Sequence, residues 1–169
     1  MWYKNIKAQN FLIFIFSIAG LVSAFYFVNL ESEISWEEKH QIEKTVFCEL
    51  IKYIIEHPDE DPDYFFISVS GLNPSLELMN TFKDMPKVEA VSFSTINFGF
   101  SATVTHKSDR SKSGILINLE ILDKKLDGTV RVLTSIHQGR NNSATYEYNL
   151  RAKEDIYQVI SVNYSNTTY

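Results

Sequence analysis

Twenty consecutive residues near the start of the chain, Phe11 to Leu30, read FLIFIFSIAGLVSAFYFVNL and hold no charge. Coiled as a helix, a run of about twenty residues is about 30 Å long, which matches the hydrocarbon core of a bilayer. Lys4 and Lys7 precede it, whereas Glu31, Glu33, Glu37 and Glu38 follow it. Basic residues stay on the cytoplasmic side of a span, so residues 1–10 are expected inside and everything after residue 30 outside. The rival is a cleaved signal peptide, for which Val22-Ser23-Ala24 offers the small residues a signal peptidase reads. Phe25, Tyr26, Phe27 and Val28 continue the apolar run past that point and favour an anchor. In either case the rest of the chain is exported: membrane-anchored, or secreted if the segment is removed.

That remainder is 139 residues, enough for one domain and one core. It carries fourteen basic and twenty-one acidic residues, a net charge of −7. A negative surface without a dense Lys/Arg stripe repels phosphate backbones, so nucleic acid is excluded as a partner. Cys48 is the only cysteine, so no intrachain disulfide can form and the fold rests on its core. A buried structural thiol is the expected role. Aromatic and β-branched residues are spread through the domain, which argues against disorder.

After a linker at residues 31–34, Ser35 with Glu38 three positions on has the spacing of a capping box, and Pro58 is a stop. The helix between them should run to about His57. Ile42, Val46, Phe47, Leu50, Ile51, Ile54 and Ile55 would form its apolar face, with Thr45, Glu49, Lys52 and Glu56 opposite. Tyr64 to Ser70 reads as a strand. Gly71-Leu72-Asn73-Pro74 then reads as a turn in which Asn73 caps, and Pro74 starts, a short helix ending near Asp84. Beyond Pro86 the period becomes two, giving candidate strands Val88–Thr95, Asn97–His106, Ile115–Leu122, Thr129–His137, Ala144–Arg151 and Ile156–Tyr164. Asp127-Gly128 is a hairpin signal. Consecutive strands with short loops pair antiparallel, so the expected fold is α+β: one long helix on a curved antiparallel meander, the domain occupying 35–164 with a frayed tail at 165–169.

The stretch Tyr64-Phe65-Phe66-Ile67-Ser68-Val69-Ser70-Gly71-Leu72-Asn73-Pro74-Ser75-Leu76-Glu77-Leu78 resembles the strand-turn-helix of a group of uncharacterised bacterial exported proteins. The final hairpin, with Ala144-Thr145-Tyr146 and Ile156-Tyr157-Gln158-Val159 opening its strands, is similar to theirs. The resemblance implies an exported bacterial domain and no particular activity. More loosely, a helix across a curved sheet looks like the NTF2-like or cystatin-like cone, which hosts enzymes, ligand binders and passive assembly domains alike.

Candidate site residues are few. Trp36, His40 and Glu43 fall on the same side of the long helix as its apolar residues, so two polar groups occupy an otherwise apolar face. Either the first turns overhang the sheet and both groups are solvated, which is the expectation, or the sheet reaches them and they sit at the mouth of a pocket. His106 shares parity with Phe98, Phe100, Ala102 and Val104 and is expected on the core side near a sheet edge, whereas His137 is expected on the outer face. The acidic turn Asp59, Glu60, Asp61 and Asp63 lacks the glycine and distal glutamate of an EF-hand. There is no phosphate loop, nucleophile elbow or zinc helix, and no cofactor or metal is expected. Sequons at Asn141, Asn163 and Asn166 are too short to weigh. The sequence therefore leads to a non-catalytic, membrane-anchored binding module of the cell envelope, taking a protein partner or a small ligand. The alternative is an NTF2-like pocket enzyme using His106, His40 and Glu43.

Overall fold

A computed structural model describes residues 33–57, 62–85, 87–97, 103–138, 143–154 and 156–166. The expected membrane segment lies outside these residues; among them, no helix is long and apolar enough to cross a membrane. The domain is α+β, with one long helix on a mostly antiparallel sheet.

Helix α1 runs Trp36–Glu56. Ser35 Oγ accepts the Glu38 amide at 3.2 Å, and the Ser35 amide donates to the Glu38 carboxylate at 3.0 Å, the reciprocal pair that the spacing predicted. Ile42, Val46, Phe47, Leu50 and Ile51 are at most 1% exposed. Complete burial of such side chains is worth roughly 2 kcal/mol each, which is what holds a helix that would be marginal alone. The apolar stripe is narrower than expected, because Ile55 in the last turn is more than half exposed.

The sheet beneath has six strands, lying side by side in the order 88–90, 64–69, 114–124, 129–137, 143–153 and 156–166. They are β1 (Tyr64–Val69), β2 (Val88–Ala90), β5 (Gly114–Lys124), β6 (Thr129–His137), β7 (Ser143–Lys153) and β8 (Ile156–Asn166). From β5 to β8 the sheet is the expected antiparallel meander. At its other side the expectation fails, because β1 pairs parallel with both β2 and β5. No hairpin joins β1 to its neighbours. The chain leaves β1 through a tight turn and returns through helix α2 (Leu76–Thr81) to β2, and such a crossover delivers a parallel strand. Helix α2 is capped by Ser75 rather than by Asn73, whose side chain instead accepts the Ser92 amide from across the loop.

The candidate strand Val88–Thr95 is broken by a 3-10 turn at Val91–Phe93, after which β3 (Ser94–Asn97) and β4 (Thr103–His106) form a separate two-stranded sheet. This small sheet does not extend the meander. Alternation along β1 and β5 explains where it goes. Phe65, Ile67, Ile115, Ile117 and Leu119 join the core under α1, whereas Phe66 and Leu116 point the other way and pack with Val104 of β4. The domain is thus layered, with α1 on one face of the main sheet and the β3–β4 ribbon on the other. Gly114 of β5 lies against the ring of Phe66 in the neighbouring strand, and a Cβ there would overlap that ring.

Glu38 does more than cap. Its carboxylate also accepts Lys124 Nζ from β5 at 2.6 Å and the Tyr157 hydroxyl from β8 at 3.0 Å, tying the start of the helix to two strands. These donors, Lys124 first, lower its pKa to about 2. Because the folded value lies below the unfolded one, the stabilisation is complete above about 4.5 and is lost as pH falls toward 2. Partial solvent exposure of the ion pair limits the effect to on the order of 1 kcal/mol. Glu38→Gln should flatten this limb of the stability-pH curve in urea unfolding, and an unchanged limb would show that the knot contributes nothing.

Candidate functional site

At the N-terminal end of α1 the segment that follows β1 reaches the polar residues on the helix. A cleft of about 220 Å³ opens between α1 and the segment after β1, lined by Trp36, Lys39, His40 and Glu43 on one side and by Val69, Ser70 and Leu72 to Ser75 on the other. Its far wall is fixed by local chemistry. Ser70 and Gly71 both have positive φ, 50° and 75°, and Val69 and Leu72 bond each other's backbone across the turn. A glycine at the second of these positions adopts the conformation without steric cost. Asn118 of β5 pins the turn from beneath, its side-chain oxygen accepting both the Gly71 amide and the Ser68 hydroxyl at 2.8 Å.

Glu43 is 5% exposed, against the expectation that it would be solvated. One carboxylate oxygen, Oε1, is buried with no hydrogen-bond partner among the described residues, and the nearest cation, Lys39 Nζ, stands 3.8 Å away. Burial raises the pKa of Glu43, opposed by the positive charge of Lys39 and by His40. His40 is also largely covered, with its ring stacked on Trp36 at 5.8 Å and its Nε2 4.0 Å from Glu77 of α2. Its Nδ1 is the second buried polar atom without a hydrogen-bond partner among the described residues. Trp36 itself is 56% exposed, so an indole stands at the rim of a cleft whose floor holds two unsatisfied polar groups. A native fold rarely buries such groups without a use for them.

His106 lies elsewhere. It belongs to β4 and packs against Tyr64, Phe66 and Phe93, on the sheet face away from α1, so it does not join His40 and Glu43. The core-side expectation is met only in the sense that a second, smaller core exists there. Its Nε2 lies 2.9 Å from Glu89, while Nδ1 receives the Ser108 amide at 3.2 Å and the Ser108 hydroxyl at 2.8 Å. An Nδ1 that accepts an amide leaves the proton on Nε2 to be donated to Glu89. Both ring nitrogens are satisfied, the pattern of a structural histidine. His137 is exposed on β6, with Nδ1 2.9 Å from Ser143 Oγ. Cys48 packs against the main core, and burial raises its thiol pKa, which makes it a poor nucleophile. Of the acidic turn, Asp63 accepts from the Ser113 amide and from Lys112, and Asp59 to Asp61 lie outside the described residues.

A second concavity was not legible in the sequence. Beside the last turns of α1 part of the sheet face is uncovered among the described residues, and Glu49, Tyr53, Tyr146, Tyr148, Val159, Val162 and Tyr164 line a groove of about 280 Å³. Its tyrosines come from three elements, so nothing in their spacing announces that they meet. Period-two alternation on β7 and β8 is the only signal that shares a face among Tyr146, Tyr148, Val162 and Tyr164.

Glu43 offers a direct check on whether its position serves stability. With the folded pKa above the unfolded one, its contribution favours folding at low pH and is lost as pH rises through the folded value. Glu43→Leu should therefore make the domain more stable at pH 7, by roughly 1 kcal/mol in urea unfolding, since a buried ion without good partners is commonly worse than a packed side chain. A clear loss of stability would mean that the carboxylate is structural.

No protein-family model matches the chain, and no curated protein or solved structure matches it significantly.

Proposed function

We propose that the chain is an exported, membrane-anchored binding domain without catalytic activity, and that the cleft at the start of α1 is its ligand site. The observation that carries this reading is the pair of buried atoms that find no hydrogen-bond partner among the described residues, Glu43 Oε1 and His40 Nδ1, beneath an exposed Trp36. A small ligand bearing hydroxyl groups fits that set best. A hydroxyl both donates and accepts, so it suits the carboxylate and either tautomer of the imidazole. An indole face at the rim stacks on the apolar side of a ring, and Ser70, Asn73 and Ser75 supply further polar contacts. A neutral saccharide unit has this chemistry, and its class is at hand on the outer side of a bacterial membrane. A strongly charged ligand fits less well, because Lys39, Glu43 and Glu77 surround the cleft with mixed signs.

The pocket-enzyme alternative needs a histidine or acid with an aligned partner inside one cavity. Its candidates are divided between the two faces of the sheet: His40 and Glu43 on the α1 side, His106 on the other. The parallel insertion of β1 also departs from the simple meander on which the NTF2-like and cystatin-like analogy was founded.

Trp36 reports on the site directly. In a Trp2→Phe background, its fluorescence should shift when the full-length protein in detergent is titrated with glucose or N-acetylglucosamine oligomers. Glu43→Ala should weaken the response at least about tenfold, the loss of one charge-assisted hydrogen bond. An unaltered spectrum with both sugar series at millimolar concentration would reject the saccharide site.

A further inference from the structure

The main sheet ends in two very different edges. At one side stands β2, three residues long, with Lys87 just before it and Glu89 within it. A short strand with charges is how a protein prevents unwanted pairing. At the other side stands β8, eleven residues long and, among the described residues, bonded to β7 alone within the sheet. Its sequence, IYQVISVNYSN, contains no charged residue and no proline. A bulge opposite Asn149 and Leu150 interrupts it near Ile160 and leaves Ser161–Asn166 as a regular run. Within that run Val162 is 46% and Tyr164 57% exposed, and both line the uncovered tyrosine groove.

We infer that β8 is a self-association edge: two copies of the chain pair antiparallel through Ser161–Ser165, about a two-fold axis at Asn163, joining their sheets into one. The occupant is a second copy for two reasons. First, charge discriminates between surfaces. The domain carries −7, so most contacts between identical copies oppose acid with acid, whereas β8 brings uncharged residues to uncharged residues. Second, the run is complementary to itself. With Asn163 opposite Asn163, Val162 of each copy faces Tyr164 of the other, and both pairs fall on the groove side. Aromatic and β-branched residues directly opposite are among the favourable cross-strand pairs. Pairing then continues the apolar face of one groove into the other and removes both exposed edges. A two-fold axis demands that kind of self-matching patch. The edge lies at the far end of α1 from the cleft, so neither site depends on the other.

Single cysteines in the full-length protein, in a Cys48→Ala background in native membranes, test the register. Asn163→Cys should give a disulfide-linked dimer under mild oxidation. Ser161→Cys should give about tenfold less, because its two copies stand four residues apart along the strands, roughly 13 Å and beyond disulfide reach. Val162→Lys with Tyr164→Lys should abolish the Asn163→Cys product and leave a monomer in detergent by light scattering, with the far-UV circular dichroism unchanged. Equal cross-linking at 161 and 163 would mean random collision and overturn the inference. So would a monomeric parent protein, or a dimer that survives the lysine pair and is therefore held elsewhere.

Discussion

The fold depends on one contact, the burial of the α1 stripe Ile42, Val46, Phe47, Leu50 and Ile51 against the inner face of the sheet. A 21-residue helix has little stability of its own in water, and a sheet with one uncovered apolar face has none to spare. Each completes the other. The strands that receive the stripe are β1, β5, β6, β7 and β8, and the side chains they send inward alternate with those sent outward. On the β1 and β5 side the outward set, Phe66 and Leu116, is apolar as well, and the chain spends the β3–β4 ribbon on covering it.

Both concavities follow from a mismatch of extents along that contact. The helix begins before the sheet's apolar floor does, so Trp36, His40 and Glu43 face the β1–α2 segment instead of a packed layer. Beside its last turns the long hairpin of β7 and β8 extends further, so Tyr146, Val162 and Tyr164 form an open face next to Glu49 and Tyr53, over the buried Tyr148. Burial raises the pKa of the Tyr148 phenol, and Glu49 is the one acidic side chain lining this groove. A polar cleft at one end of the helix and an uncharged edge at the other give the domain two separate surfaces with different chemistry.

The parts of this architecture that depend on local spacing could be read from the sequence. Ser35 with Glu38 marked the helix start, and alternation marked the β5–β8 meander, because capping and strand facing are set by residues a few positions apart. The parallel position of β1 could not be read, since it is decided by the crossover through α2 and by pairing with Gly114–Leu119 about fifty residues on. The polar pair on α1 was visible as an irregularity in an apolar face. Whether it was covered depended on the reach of the Gly71 turn, which is pinned by Asn118, and that is a long-range contact. His106 was similarly visible, but its partner Glu89 lies in another strand and its burial is against Phe66, on a face the meander reading did not expect to be covered.

Amide hydrogen exchange of the full-length protein tests the central contact most directly, because opening free energies are resolved residue by residue. The account predicts that the middle of α1, from Ile42 to Ile51, exchanges as slowly as β1, β5 and β6 and is lost with them in one cooperative step. Rapid exchange throughout α1 while those strands stay protected would show that the sheet stands without its helix and would contradict it.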